Sequence, residues 1–105
     1  MREPTFLILT ALCREPLHGY AIVKEVTEIS AGEVTLRVGT LYGALDRLTE
    51  EGLVAIDREE IVDSRLRRYY RLTSSGAADL SVEALRRKAS AESALRRLTI
   101  ATVTP

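Results

Sequence analysis

Residues 38–60 read VGTLYGALDRLTEEGLVAIDREE, and the hydrophobic spacing changes partway along them. Leu41, Leu45 and Leu48 recur at i, i+4 and i+7, which gathers them on one face of a helix. Gly52 follows where a helix end favours a residue free to turn left-handed. The spacing therefore predicts a helix from about Val38 to Glu51, and a strand from Leu53 to Glu59. Such a helix buries its leucines and shows Tyr42, Asp46 and Thr49, with Arg47 and Glu50 nearby, to solvent or to a partner.

On the N-terminal side, Phe6, Leu9, Leu12 and Cys13 predict a first core helix over about Thr5 to Arg14, closed by Pro16. After a turn from Glu15 to Gly19, Ile22, Val26 and Ile29, with Tyr20 and Val23 alongside, predict a second amphipathic helix ending near Ser30. Ala31 and Gly32 break it, and Glu33 to Leu36 is short and β-tolerant. On the C-terminal side, Leu66 to Leu72, rich in arginine and containing Tyr69 and Tyr70, reads as a strand that closes a hairpin with the first. The connection, about Glu60 to Arg65, has neither glycine nor proline, and its turn type is not legible. Thr73, Ser74 and Ser75 offer N-cap oxygens to a long helix from Gly76 to about Thr99. Ile100 to Pro105, β-branched and proline-terminated, are expected to fray.

The predicted fold is mainly α with a small β-hairpin: three helices, a hairpin and a long last helix. That is the element order of a winged helix-turn-helix, in which the third helix enters the DNA major groove and the hairpin wing approaches backbone or minor groove. Residues 1–73 would form this unit, and residues 74–105 a dimerisation helix with a frayed tail. The chain has 105 residues, the size of one domain. So small a domain hides a limited share of its surface, which makes a second copy a natural source of missing core. The apolar stripe of the last helix, with Leu80, Ala91, Leu95 and Leu98, exceeds what a three-helix core covers. Together with Leu85 and Phe6 of the first helix, these residues are the expected dimer contacts.

Fifteen basic side chains balance fifteen acidic ones. The balance is uneven along the chain: residues 1–52 carry five basic and eight acidic groups, residues 53–105 ten and seven. No acid interrupts the run Arg65, Arg67, Arg68 and Arg71, and a polyanion responds to local potential more than to the total. No apolar run approaches the roughly 20 residues of a membrane span, and Glu3 and Pro4 interrupt any secretory start, so a cytoplasmic chain is expected. With one cysteine and one histidine, a Cys/His metal site is nearly excluded, and neither a catalytic triad nor a phosphate loop can be assembled. No enzymatic activity and no cofactor are expected.

The candidate DNA-binding residues are Arg37, Thr40 and Tyr42 at the start of the third helix, and Arg65, Arg67 and Arg68 in the wing. The first helical turn combines hydroxyls with backbone N–H groups that favour phosphate. Strand alternation puts Arg65 and Arg67 on one face and Arg68 on the other. Each has a structural alternative: Tyr42 packed against helix two or the wing, Arg37 a solvated loop residue. Tyr69 and Tyr70 read as packing residues. His18 reads as a cap or turn hydrogen bond, and Cys13 as a small core filler. The acids Asp57, Glu59, Glu60 and Asp63 in the hairpin support a second reading, a winged-helix protein-interaction module without DNA binding.

Four separated segments, Pro16-Leu17-His18-Gly19-Tyr20, Gly39-Thr40-Leu41-Tyr42, the stretch from Leu45 to Val54, and Arg67-Arg68-Tyr69-Tyr70-Arg71-Leu72-Thr73, together resemble the PadR family of bacterial transcriptional regulators. The resemblance covers about Phe6 to Leu80, and the single-helix tail is similar to the family's small subgroup. It implies a dimeric repressor that responds to a small-molecule effector; a two-fold dimer, presenting its two third helices to successive major grooves, would bind double-stranded DNA at an inverted-repeat operator. The chain differs from the family's common pattern at Gly43, at Arg37-Val38 and at the wing tip, Ile61-Val62-Asp63.

Overall fold

The computed structural model describes residues 1–103. The elements are α1 (Glu3–Ala11), β1 (Leu17–His18), α2 (Gly19–Ile29), α3 (Val38–Glu50), β2 (Val54–Val62), β3 (Arg65–Leu72) and α4 (Ser74–Val103). The three strands form an antiparallel sheet in the order β1-β3-β2. This is the winged helix-turn-helix arrangement the sequence predicts.

The core gathers Leu7, Ile8 and Leu9 of α1, Ile22 and Val26 of α2, Leu41, Leu45 and Leu48 of α3, Val54 of β2, Tyr70 of β3 and Leu80 of α4. α3 ends as its sequence predicts. Gly52 adopts φ +77, and the Leu53 and Gly52 amides donate to the carbonyls of Leu48 (3.0 Å) and Thr49 (3.1 Å). That pair of bonds is a Schellman motif, which satisfies the last carbonyls of the helix. The Thr73 hydroxyl accepts from the Gly76 amide at 3.0 Å, capping α4, and donates to the Gly52 carbonyl at 2.7 Å. One side chain thus ties the start of α4 to the end of α3. Gly76 lies so close under the Leu53 carbonyl that a β-carbon there would collide with it.

Several local expectations are corrected. α1 stops at Ala11, and the exposed Cys13 points its thiol at the Leu9 carbonyl, 3.5 Å away, instead of filling the core. The β-tolerant stretch Glu33 to Leu36 forms no strand. The third strand is β1, inside the segment read as a turn, where Leu17 pairs with Tyr70 and His18 with Tyr69. The hairpin is longer than predicted and turns at Asp63 and Ser64, with φ of 52° and 63°. Positive φ at both central residues marks a two-residue I′ type of turn, built here without glycine. A bulge between Ile56 and Arg58 breaks the alternation of β2. α4 begins at Ser74 and continues through Ile100 to Val103, where fraying was expected; Thr104 and Pro105 lie outside the described residues.

α4 is fixed to α1 by one polar junction. Arg87 donates to Glu83 at 2.9 Å and to Glu3 at 2.9 Å, while its guanidinium carbon sits 4.0 Å from the centre of the Phe6 ring. Glu83 is buried, also accepts from Arg86, and is held below the usual carboxylate range, chiefly by Arg87. From Lys88 to Ala101 every side chain of α4 but that of Ser93 is exposed, and the molecule reaches 65 Å along its long axis.

Candidate nucleic-acid interface

A cleft of about 580 Å³ opens between the start of α2, the first turns of α3 and the outer half of the hairpin. Tyr42, Arg65, Arg67 and Arg68 line it, together with His18, Gly19 and Tyr20. Of the six residues singled out from sequence, the fold thus brings four together. Arg37 and Thr40 lie outside the cleft, exposed at the N-terminal end of α3.

Tyr42 takes up its packing alternative and also lines the cleft. A β-carbon on Gly19 would stand 2.5 Å from its hydroxyl oxygen, so the ring rests on the glycine at the start of α2. The residue is nonetheless 43% exposed and lines the cleft that the wing borders. The N-terminus of α3 is open: Arg37 occupies the N-cap position without a side-chain cap bond, and Val38, Gly39 and Thr40 are exposed. Uncapped first-turn amides leave N–H donors and the positive end of the helix dipole facing outward.

Register sorts the wing arginines as alternation predicts. Arg65 pairs across the strands with Val62 and Arg67 with Glu60, whereas Arg68 pairs with Glu59 on the other face. Arg68 lies 3.9 Å from Glu59 and also interacts with Tyr70 and Asp46, so its charge is engaged within the protein. Arg58 bridges Asp57 (3.0 Å) and Glu60 (2.8 Å) and stacks 3.9 Å above the Tyr69 ring, and Arg71 reaches Asp57 at 3.9 Å. Among the described residues, no carboxylate lies within ion-pair distance of Arg65 or Arg67. The cleft therefore presents two guanidinium groups without an ion-pair partner among the described residues, Arg67 acting through its charge on Glu60 and His18, in company with Tyr42. This arrangement suits a phosphate backbone.

Sequence reasoning missed Tyr20 and His18. Tyr20 is 81% exposed and stands on the cleft side of α2. Its position two residues before Ile22, off the Ile22, Val26, Ile29 stripe, was the available signal. His18 makes no cap hydrogen bond, contrary to expectation; its ring stands edge-on to Tyr69, 5.4 Å between centroids.

The expected dimer residues are dispersed. Leu80 is buried in the chain's own core and Phe6 lies half-buried beneath Arg87. Leu85, Ala91, Leu95 and Leu98 are exposed. At 100° per residue Ala91, Leu95 and Leu98 share one face, whereas Leu85 lies about 80° round the helix from Leu95.

A three-helix core with an antiparallel wing and an arginine-bearing cleft defines a winged-helix protein. Residues 8–82 match the transcriptional regulator PadR-like family, and the chain belongs to that family. The family is one of transcriptional regulators rather than enzymes. The fold is similar to the crystal structure of a PadR family transcription regulator from Clostridium difficile R20291, with a TM-score of 0.79, 26% identity, and coverage of 92% of this chain and 99% of that one. Bacillus subtilis PadR, solved in complex with operator DNA, aligns with a TM-score of 0.68 and 28% identity over 76% of this chain and 46% of that one. The transcriptional regulator YqjI of Escherichia coli (strain K12) is 36% identical over 58 residues, 55% of this chain. The chain spans 28% of the length of YqjI. No helix among the described residues is long and apolar enough to cross a membrane.

Proposed function

We propose that this chain is a DNA-binding transcriptional regulator acting in the cytoplasm as a homodimeric repressor on an inverted-repeat operator. The observation that carries the reading is the cleft. Arg65 and Arg67, without an ion-pair partner among the described residues, line it together with Tyr42, and the uncapped start of α3 lies exposed outside it. α3 supplies the groove-entering element and the wing the phosphate contacts. The relative from Bacillus subtilis, solved with operator DNA, supports the same use of the fold.

The exposed row Ala91, Leu95 and Leu98 supports association through α4, because a contiguous apolar face is commonly buried by a second copy. A small-molecule effector that loosens the dimer from DNA fits the family. With no aromatic residue between Ser74 and Thr99, its site would be an aliphatic pocket between subunits. The protein-interaction alternative drew on the hairpin acids, and three of the four are taken up by Arg58, Arg68 and Arg71.

Footprinting of the DNA upstream of the chain's own gene tests the proposal. Two protected half-sites in inverted orientation, about one helical turn apart, are expected. Protection of a single asymmetric half-site by one subunit would contradict it.

A further inference from the structure

We propose that His18 contacts a DNA phosphate in the cleft and takes up a proton as it does so, making operator affinity rise as pH falls. The inference rests on the DNA-binding reading above and adds a titrating group to it. His18 occupies the N-cap position of α2, yet its side chain caps nothing, so the imidazole is not committed to the helix. Pairing with Tyr69 across β1 and β3 and edge-on contact with its ring hold it against the sheet, at the wall of the cleft that also holds Tyr42 and Arg67.

The charges facing it are mostly positive. From β3 come Arg65, Arg67 and Arg68, and beyond the Tyr69 ring stands Arg58 of β2. Tyr20 of α2 and Tyr42 of α3 are neutral phenols. Asp63, at the hairpin turn, is the one carboxylate lining the cleft; Glu60, across from Arg67, is bonded to Arg58. The positive N-terminal end of α2 adds to the field.

In the free chain, burial first and the Arg67 charge second push the imidazole below its ordinary value, so it is neutral near pH 7. A phosphate in the cleft reverses the balance. It offsets Arg67 and gives the imidazolium an anionic hydrogen-bond acceptor, which favours the charged form. Because the bound value is raised above the free one, the added affinity is complete below the free value and is lost as pH rises through the bound value. By linkage each cleft contributes at most about tenfold in affinity per pH unit, one proton per protomer.

The chain contains a single histidine, so its ring resonances titrate without overlap from any other. The test is an NMR pH titration of the His18 ring, in the free chain and bound to a duplex from the chain's own upstream region. A midpoint below the ordinary histidine value of about 6.5 in the free chain, moving above it in the complex, is expected. His18→Gln should lose most of the affinity that the wild type gains between pH 8 and pH 6. A midpoint that stays put or falls in a complex that still forms overturns the proton uptake and leaves the DNA-binding reading intact. A folded chain that binds no duplex at any pH overturns both. The wild-type titration decides the matter even where the variant folds poorly.

Discussion

Gly39 and Gly43 lie one turn apart on the exposed side of α3, and nothing stands within 4 Å of where a β-carbon would be on either. Packing therefore does not require glycine at these positions. Each costs roughly 0.5–1 kcal/mol relative to alanine in a helix. A bare helix backbone is useful where another molecule approaches closely, and here it adjoins Tyr42 and the open N-terminus. Gly43→Ala should accordingly raise stability by roughly 0.5–1 kcal/mol in urea denaturation while weakening operator binding. A variant that gains stability and keeps full affinity would remove this face from the interface. Tyr42→Phe separates the two roles of its neighbour. The ring stays seated on Gly19, so the circular dichroism spectrum should be unchanged, and loss of the hydroxyl should weaken operator binding severalfold. Unchanged affinity would leave Tyr42 with its packing role alone.

The hairpin is where residue charges become a property of an element. β2 and β3 together carry three acids and five arginines, and ion pairing within and between the strands spends the arginines unequally. Arg58, Arg68 and Arg71 are engaged, whereas Arg65 and Arg67 are not. Replacing Arg65 and Arg67 by alanine should weaken specific and non-specific duplexes about equally and flatten the slope of log affinity against log salt by about one per lost contact. Arg68→Ala should change that slope far less. Equal effects from all three would show that the intramolecular pairs open on binding. α4 is the other element with an unequal division. Its first half is anchored through Leu80, Glu83 and Arg87, and its second half presents Ala91, Leu95 and Leu98 to solvent. A carboxylate forced into a dry interface costs several kcal/mol without a partner. Leu95→Asp should therefore yield a folded monomer by light scattering, with much reduced affinity for a two-half-site operator. A variant that remains dimeric would move the interface elsewhere.

At the scale of the whole molecule, the fold was legible wherever an element is long enough to carry a period. Leu41, Leu45, Leu48 and the stop at Gly52 located α3, and the alternation of β3 correctly separated Arg65 and Arg67 from Arg68. What escaped is set by tertiary contact. β1 has two residues and no period, the bulge after Ile56 breaks the pattern of β2, and the I′ turn uses Asp63 and Ser64 in place of glycine. The candidate site divides in the same way. Tyr42 and the arginines were visible as residue types in suitable elements, whereas the cleft that adds His18 and Tyr20 exists only once β1 lays the start of α2 beside the wing. In the proposed homodimer each subunit would bring one groove-entering helix, one wing and one projecting helix to duplex DNA. The most direct measurement is a fluorescence anisotropy titration of the full chain, at low salt, against a labelled duplex from the region upstream of its gene. Saturable binding, tighter than to a scrambled duplex of equal length and weakening steeply with added salt, is the predicted result. A folded, dimeric chain that binds neither duplex would contradict DNA recognition and make the winged-helix core a protein-interaction module instead.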